Sequence, residues 1–79
     1  MGFFNLQGFM DMFGERVREG MAKSDMSISA LSTSTKIYRE KISQYLAYDG
    51  EFHLRVGEMV KILEAVDIDP KSFFKTLSK

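Results

Sequence analysis

The sequence predicts an all-α domain of five short helices, and three observations carry that reading. Apolar residues recur at helical spacing in successive segments, first at Phe9, Phe13, Val17 and Met21, then at Tyr38, Ile42, Tyr45 and Leu46, and again from Val56 to Val66. Breaks separate those segments at Ser24–Ser27, Asp49-Gly50 and Asp69-Pro70. The chain has 79 residues and no cysteine, so it makes one domain that stands on packing alone. A fold of this size buries only roughly 60% of the surface its unfolded chain exposes, which makes a second copy a reasonable source of extra stability.

The first eight residues, MGFFNLQG, read as an apolar arm that carries no charge, and residues 9–79 read as the single domain. Phe3, Phe4 and Leu6 in that arm fold back over the core, extend the first helix, or make a dimer or partner contact. A first helix is expected from about Phe9 to Lys23, with Glu15, Arg16, Arg18, Glu19 and Lys23 away from its apolar stripe. Gly14 and Gly20 inside it each cost up to ~1 kcal/mol relative to Ala, so the helix depends on packing or permits a close backbone approach.

Ser27 is a natural N-cap for a second helix running to about Thr35. Its hydroxyl-rich sequence, ISALSTST, has weak helix propensity, so Ile28 and Leu31 must hold it through tertiary contacts. A third helix is expected from about Arg39 to Tyr48 and stops at Asp49-Gly50. Tyr38, Ile42, Tyr45 and Leu46 are expected to fix it to the core. Arg39, Glu40, Ser43, Gln44 and Ala47 are left on an exposed face, as in a helix shaped to enter a groove.

His53, the only histidine, falls in the following loop and is assigned no chemistry. A fourth helix spans about Arg55 to Val66. A fifth begins with Asp69 as cap and Pro70 at the first helical position, and its apolar face comprises Phe73, Phe74 and Leu77. Two adjacent Phe residues do not easily share one core, so one of them is a candidate dimer contact. Lys71, Lys75 and Lys79 make the last turn basic.

Several function classes are weak on composition. The absence of cysteine removes thiolate metal sites and cysteine nucleophiles and fits a reducing, cytoplasmic setting. No apolar run approaches ~18 residues and no secretory signal pattern is present, so no membrane association is expected. Without a histidine pair or a phosphate-cradling glycine loop, no enzyme activity and no cofactor are expected. The formal net charge is zero, so any electrostatic case for a polyanionic partner rests on local placement.

The motifs FGERVRE (13–19), MSISALS (26–32), KIYREKIS (36–43) and KILEAVDIDPKSFF (61–74) together resemble the lambda repressor and Cro-like helix-turn-helix domains, of the xenobiotic-response-element type. The last of them follows the family pattern K-I-A-E-A-L-G-V-S-P nearly position for position, and the resemblance covers about residues 13–74. It implies a compact five-helix repressor-like domain in which the second and third helices form the helix-turn-helix and the third lies in the major groove. It further implies a homodimeric transcriptional regulator on double-stranded DNA.

Carried over by position, the resemblance makes Arg39, Glu40 and Gln44 base readers, matching the affinity of Arg for guanine, Gln for adenine and Glu for the cytosine amino group. Ser29, Lys36, Lys41 and Ser43 become phosphate contacts. The chain departs from the family pattern at Ile28 (usually Gln), Ser32 (Ala), Lys36 (Gly) and Tyr38 (a capping Ser). It also departs at Met21 and Leu46, where many members carry an Arg and a Glu that pair; an apolar contact between these two side chains is expected instead. A second expectation, from a different class, is an interaction module such as an antirepressor, repressor modulator or antitoxin subunit that keeps the fold and binds another regulatory protein.

Overall fold

The computed structural model describes residues 5–75. Five helices follow in order, α1 (Leu6–Lys23), α2 (Ile28–Thr35), α3 (Arg39–Leu46), α4 (Val56–Ala65) and α5 (Pro70–Phe74), and there is no strand among the described residues. The all-α class and the five elements are those the sequence predicts. Within the arrangement, α1 packs on α3, α2 on both α3 and α4, and α4 on α5.

Helix α1 begins three residues earlier than its apolar stripe suggests, because the Asn5 side chain caps it by accepting a hydrogen bond from the Gly8 N–H. Residues 6–8 of the expected arm are therefore the first helical turn; Phe3 and Phe4 lie outside the described residues. Phe13 and Val17 are fully buried, Phe9 and Met21 pack at the edge of the core, and Met10 joins the buried face. Both internal glycines mark close approaches. A Cβ on Gly14 would lie 2.7 Å from the Leu46 carbonyl oxygen, and one on Gly20 would lie 2.9 Å from Val66 Cβ. Any larger residue would push α1 away from α3 or from the end of α4.

The weak propensity of α2 is offset locally. Ser27 caps it by accepting from the Ala30 N–H, while the Thr33 and Thr35 hydroxyls donate back to the carbonyls of Ser29 and Leu31. Leu31 is fully buried. The same hydroxyl residues lock the turn that follows. Ser32 donates to the Ile37 carbonyl, and Thr35 accepts from the Ile37 N–H. Lys36 takes the left-handed conformation at φ 62°, which favours glycine over residues with a side chain.

Helix α3 shows two departures from expectation. It ends at Leu46 rather than near Tyr48, with Ala47 as C-cap, so Asp49-Gly50 belongs to the loop beyond, where Gly50 has φ 91° and Asp49 accepts from the Glu51 N–H. Tyr38 is not a core residue either; it is 76% exposed. The physical reason is its place as N-cap, at φ −58° and ψ 144°, which takes it off the helical period that its spacing from Ile42 implies. Ile37, buried in the turn, takes the place in the core that the spacing assigns to Tyr38.

In α4 the buried residues are Met59, Ile62 and Leu63, and Val56, expected on the apolar stripe, is exposed at the first helical position. Asp69 caps α5 as expected, accepting from the Lys71 N–H and the Ser72 hydroxyl. Phe73 is buried. Phe74, the less buried of the two adjacent rings, packs against Phe9 of the same chain, with ring centroids 6.1 Å apart. A continuous row of rings, Phe74, Phe73, Phe13, Tyr45 and Phe52, ties α5, α1, α3 and the α3–α4 loop into one core. Leu77 and Lys79 lie outside the described residues. No helix among the described residues is long and apolar enough to cross a membrane.

Candidate nucleic-acid interface

Burial divides α3 cleanly. Ile42, Tyr45 and Leu46 face the core, leaving Arg39, Glu40, Ser43 and Gln44 exposed on the outer side. The three expected base readers thus share one solvent-facing surface. Arg39 is also linked to α2: its guanidinium Nη1 donates to the Ser29 hydroxyl oxygen at 3.4 Å, at the long end of hydrogen bonding. That contact brings an expected base reader and an expected phosphate contact together where the starts of α2 and α3 meet.

The two expected phosphate-binding cations, Lys36 and Lys41, have different surroundings. Lys36 lines a depression with Ser34, Thr35, Lys61 and Glu64, between the end of α2 and the C-terminal half of α4. Lys41 is turned toward α4, where its Nζ donates to Glu58 Oε2 at 3.1 Å. With Glu40 next to Arg39, the outer face of α3 carries little net charge.

Glu58 and Tyr45 form a polar clamp that the sequence reading did not single out. The Tyr45 hydroxyl donates to Glu58 Oε1 at 2.6 Å and accepts from the Arg55 N–H at 3.0 Å. The Tyr45 hydrogen bond and the Lys41 ammonium hold the Glu58 carboxyl below its usual range, against the opposing effect of its partial burial. Burial, aided by the Glu58 hydrogen bond, pushes the Tyr45 phenol up to about 12. Because Arg55 caps α4 without a side-chain bond, the Tyr45 hydroxyl satisfies a backbone donor at the start of that helix. The clamp joins the back of α3 to α4 and fixes the direction of the outer face. A sequence signal existed in the paired positions Lys41 and Tyr45, one helical turn apart, but their partner lies on another helix.

Arg18 is a second residue the sequence reading left on a solvated face. Its Nη1 donates to the Leu46 carbonyl at 2.8 Å, placing a cation at the C-terminal end of α3, where the helix dipole favours it. Of the expected apolar pair, Leu46 lies in the core and Met21 is at the core's edge; the α1 groups at the Leu46 carbonyl are Gly14 and Arg18. His53 is exposed in the α3–α4 loop. No protein-family model matches the chain, and searches of the curated proteins and of the solved structures find no match.

Proposed function

We propose that the chain is a sequence-specific DNA-binding regulator of the repressor or Cro type, in which α2 and α3 act as a helix-turn-helix and α3 enters the major groove. The observation that carries this reading is the outer face of α3, where Arg39, Glu40, Ser43 and Gln44 are exposed together while the opposite face is buried. A helix rises ~1.5 Å per residue, so Arg39 and Gln44 stand about 7.5 Å apart along the axis and reach neighbouring base pairs. Ser29, Ser43, Lys36 and Lys41 serve as phosphate contacts, Lys41 only after exchanging Glu58 for a phosphate oxygen. A homodimer would place two α3 helices on half-sites about one helical turn, ~34 Å, apart.

Selection from a randomised duplex pool tests the reading, followed by Arg39→Ala and Gln44→Ala on the enriched site. Each substitution is expected to cost about 1–3 kcal/mol and to relax preference at one position. Enrichment of no sequence at low salt refutes the proposal.

The neutralised charge favours a second reading, since Lys41 is paired with Glu58 and Glu40 lies beside Arg39. In that reading the chain is an interaction module whose α3 face binds another regulatory protein, and a stoichiometric protein partner on purification, with no duplex enriched, decides for it.

A further inference from the structure

Tyr38 is the largest side chain left open to solvent beside the candidate readers, and its position is costly. It is 76% exposed, it occupies the N-cap of α3, and its side chain makes no capping hydrogen bond. A Ser, Thr, Asp or Asn there would cap the helix and leave no ring in water. The neighbouring Ile37 is buried and its backbone is hydrogen-bonded on both sides to Ser32 and Thr35, so the ring projects from a rigid turn. Lys36 and Arg39, both exposed, flank it and suit a polyanionic partner.

We infer that Tyr38 is a specificity-determining residue whose ring packs on the 5-methyl group of a thymine in the major groove, beside the base that Arg39 reads. The inference rests on the DNA reading proposed above. The tyrosine hydroxyl can donate or accept, but the face of the ring offers a base edge no hydrogen bond and suits an apolar group, and the thymine methyl is the one apolar group the major groove presents. The ring stands at the very start of α3, next to the first expected reader, so it meets the base flanking the one Arg39 contacts.

The test replaces each thymine of the selected duplex by uracil, one at a time, and measures affinity for the wild-type chain, Tyr38→Phe and Tyr38→Ser. At one thymine, uracil is expected to weaken wild type and Tyr38→Phe about fourfold, the worth of one buried methyl, and to leave Tyr38→Ser unaffected. Tyr38→Ser supplies the missing cap, so its thermal midpoint is expected to rise by about 4–8 °C, which separates lost recognition from lost folding. Three results overturn the inference: a wild-type chain indifferent to every uracil, a uracil penalty that persists in Tyr38→Ser, or unchanged DNA affinity in Tyr38→Ser together with loss of a bound protein partner. Failure of the wild type to enrich any duplex overturns the DNA reading as well, and so is distinguishable from failure at Tyr38 alone.

Discussion

Replacing Gly14 by Ala sets two effects of known sign against each other. Ala is favoured over Gly in a helix interior by about 1 kcal/mol, so on propensity alone Gly14→Ala stabilises α1. In place, however, the new Cβ would lie 2.7 Å from the Leu46 carbonyl oxygen and 3.2 Å from the Arg18 guanidinium. The carbonyl is backbone, and it is held by the 2.8 Å hydrogen bond from Arg18, so neither neighbour moves freely. Overpacking of this kind costs typically about 1–3 kcal/mol, and weakening a hydrogen bond from a charged donor costs about 1–2 more. The net expectation is a loss of about 2 kcal/mol, or roughly 8–16 °C in thermal midpoint for a domain of this length. Gly57→Ala is the internal control: a Cβ there meets nothing within 4 Å, so the variant should match or exceed the wild type. Urea and thermal unfolding followed by circular dichroism measure both. A Gly14→Ala chain as stable as the wild type would mean that α1 and α3 do not approach this closely, and would remove the basis for the placement of α3.

Lys36→Gly relieves a left-handed non-glycine residue and should stabilise the fold by about 1 kcal/mol; if Lys36 also contacts phosphate, the salt dependence of DNA binding falls by about one ion in the same variant. Tyr45→Phe leaves the Arg55 N–H without its acceptor and Glu58 Oε1 without its donor, and should cost about 1–3 kcal/mol by urea denaturation. The pH dependence follows from the same clamp. Glu58 is held below its ordinary 4.5, so its contribution is present above that pH and is lost as pH falls through its lowered value; Glu58→Gln should flatten the acid limb of the stability curve. Tyr45 is raised from 10.0 to about 12, so its contribution is complete below pH 10 and is lost as pH rises toward 12; an ultraviolet titration should show an ionisation near 12 that Tyr45→Phe removes, and the same variant should flatten the alkaline limb. Glu58→Gln also frees Lys41 and should steepen the salt dependence of DNA binding by about one ion, measured on a single duplex from low to moderate salt; an unchanged slope would show that Lys41 touches no phosphate.

The expected elements were legible where local chemistry is self-sufficient. Ser27 and Asp69 cap their helices through their own side chains, Pro70 opens the fifth, and the Phe13–Val17 stripe is buried as its spacing requires. A period of 3.6 and a capping oxygen act over a single turn, so a linear reading captures them. Boundaries that depend on a less conspicuous cap were misplaced, as at Asn5, and Asp49-Gly50 proved to be a loop turn rather than the end of α3.

Tyr38 shows where periodicity misleads. Spacing puts it in line with Ile42 and Tyr45, but a residue with extended backbone before the first turn does not share the helix's phase, and Ile37 is buried instead. For the candidate site, the sequence by itself determined which side chains sit on the outer face of α3, because the alternation of apolar and polar residues along a helix already sorts its faces. Only the tertiary structure decided how that face is held and charged. Lys41 reads as a free cation until α4 brings Glu58 within 3.1 Å, Tyr45 reads as a core ring until its hydroxyl meets Arg55 and Glu58, and Arg18 reads as a solvated surface residue until α1 crosses the end of α3. Each of these partners is at least ten residues away along the chain, and a contact between helices is set by how they pack, which no local pattern encodes.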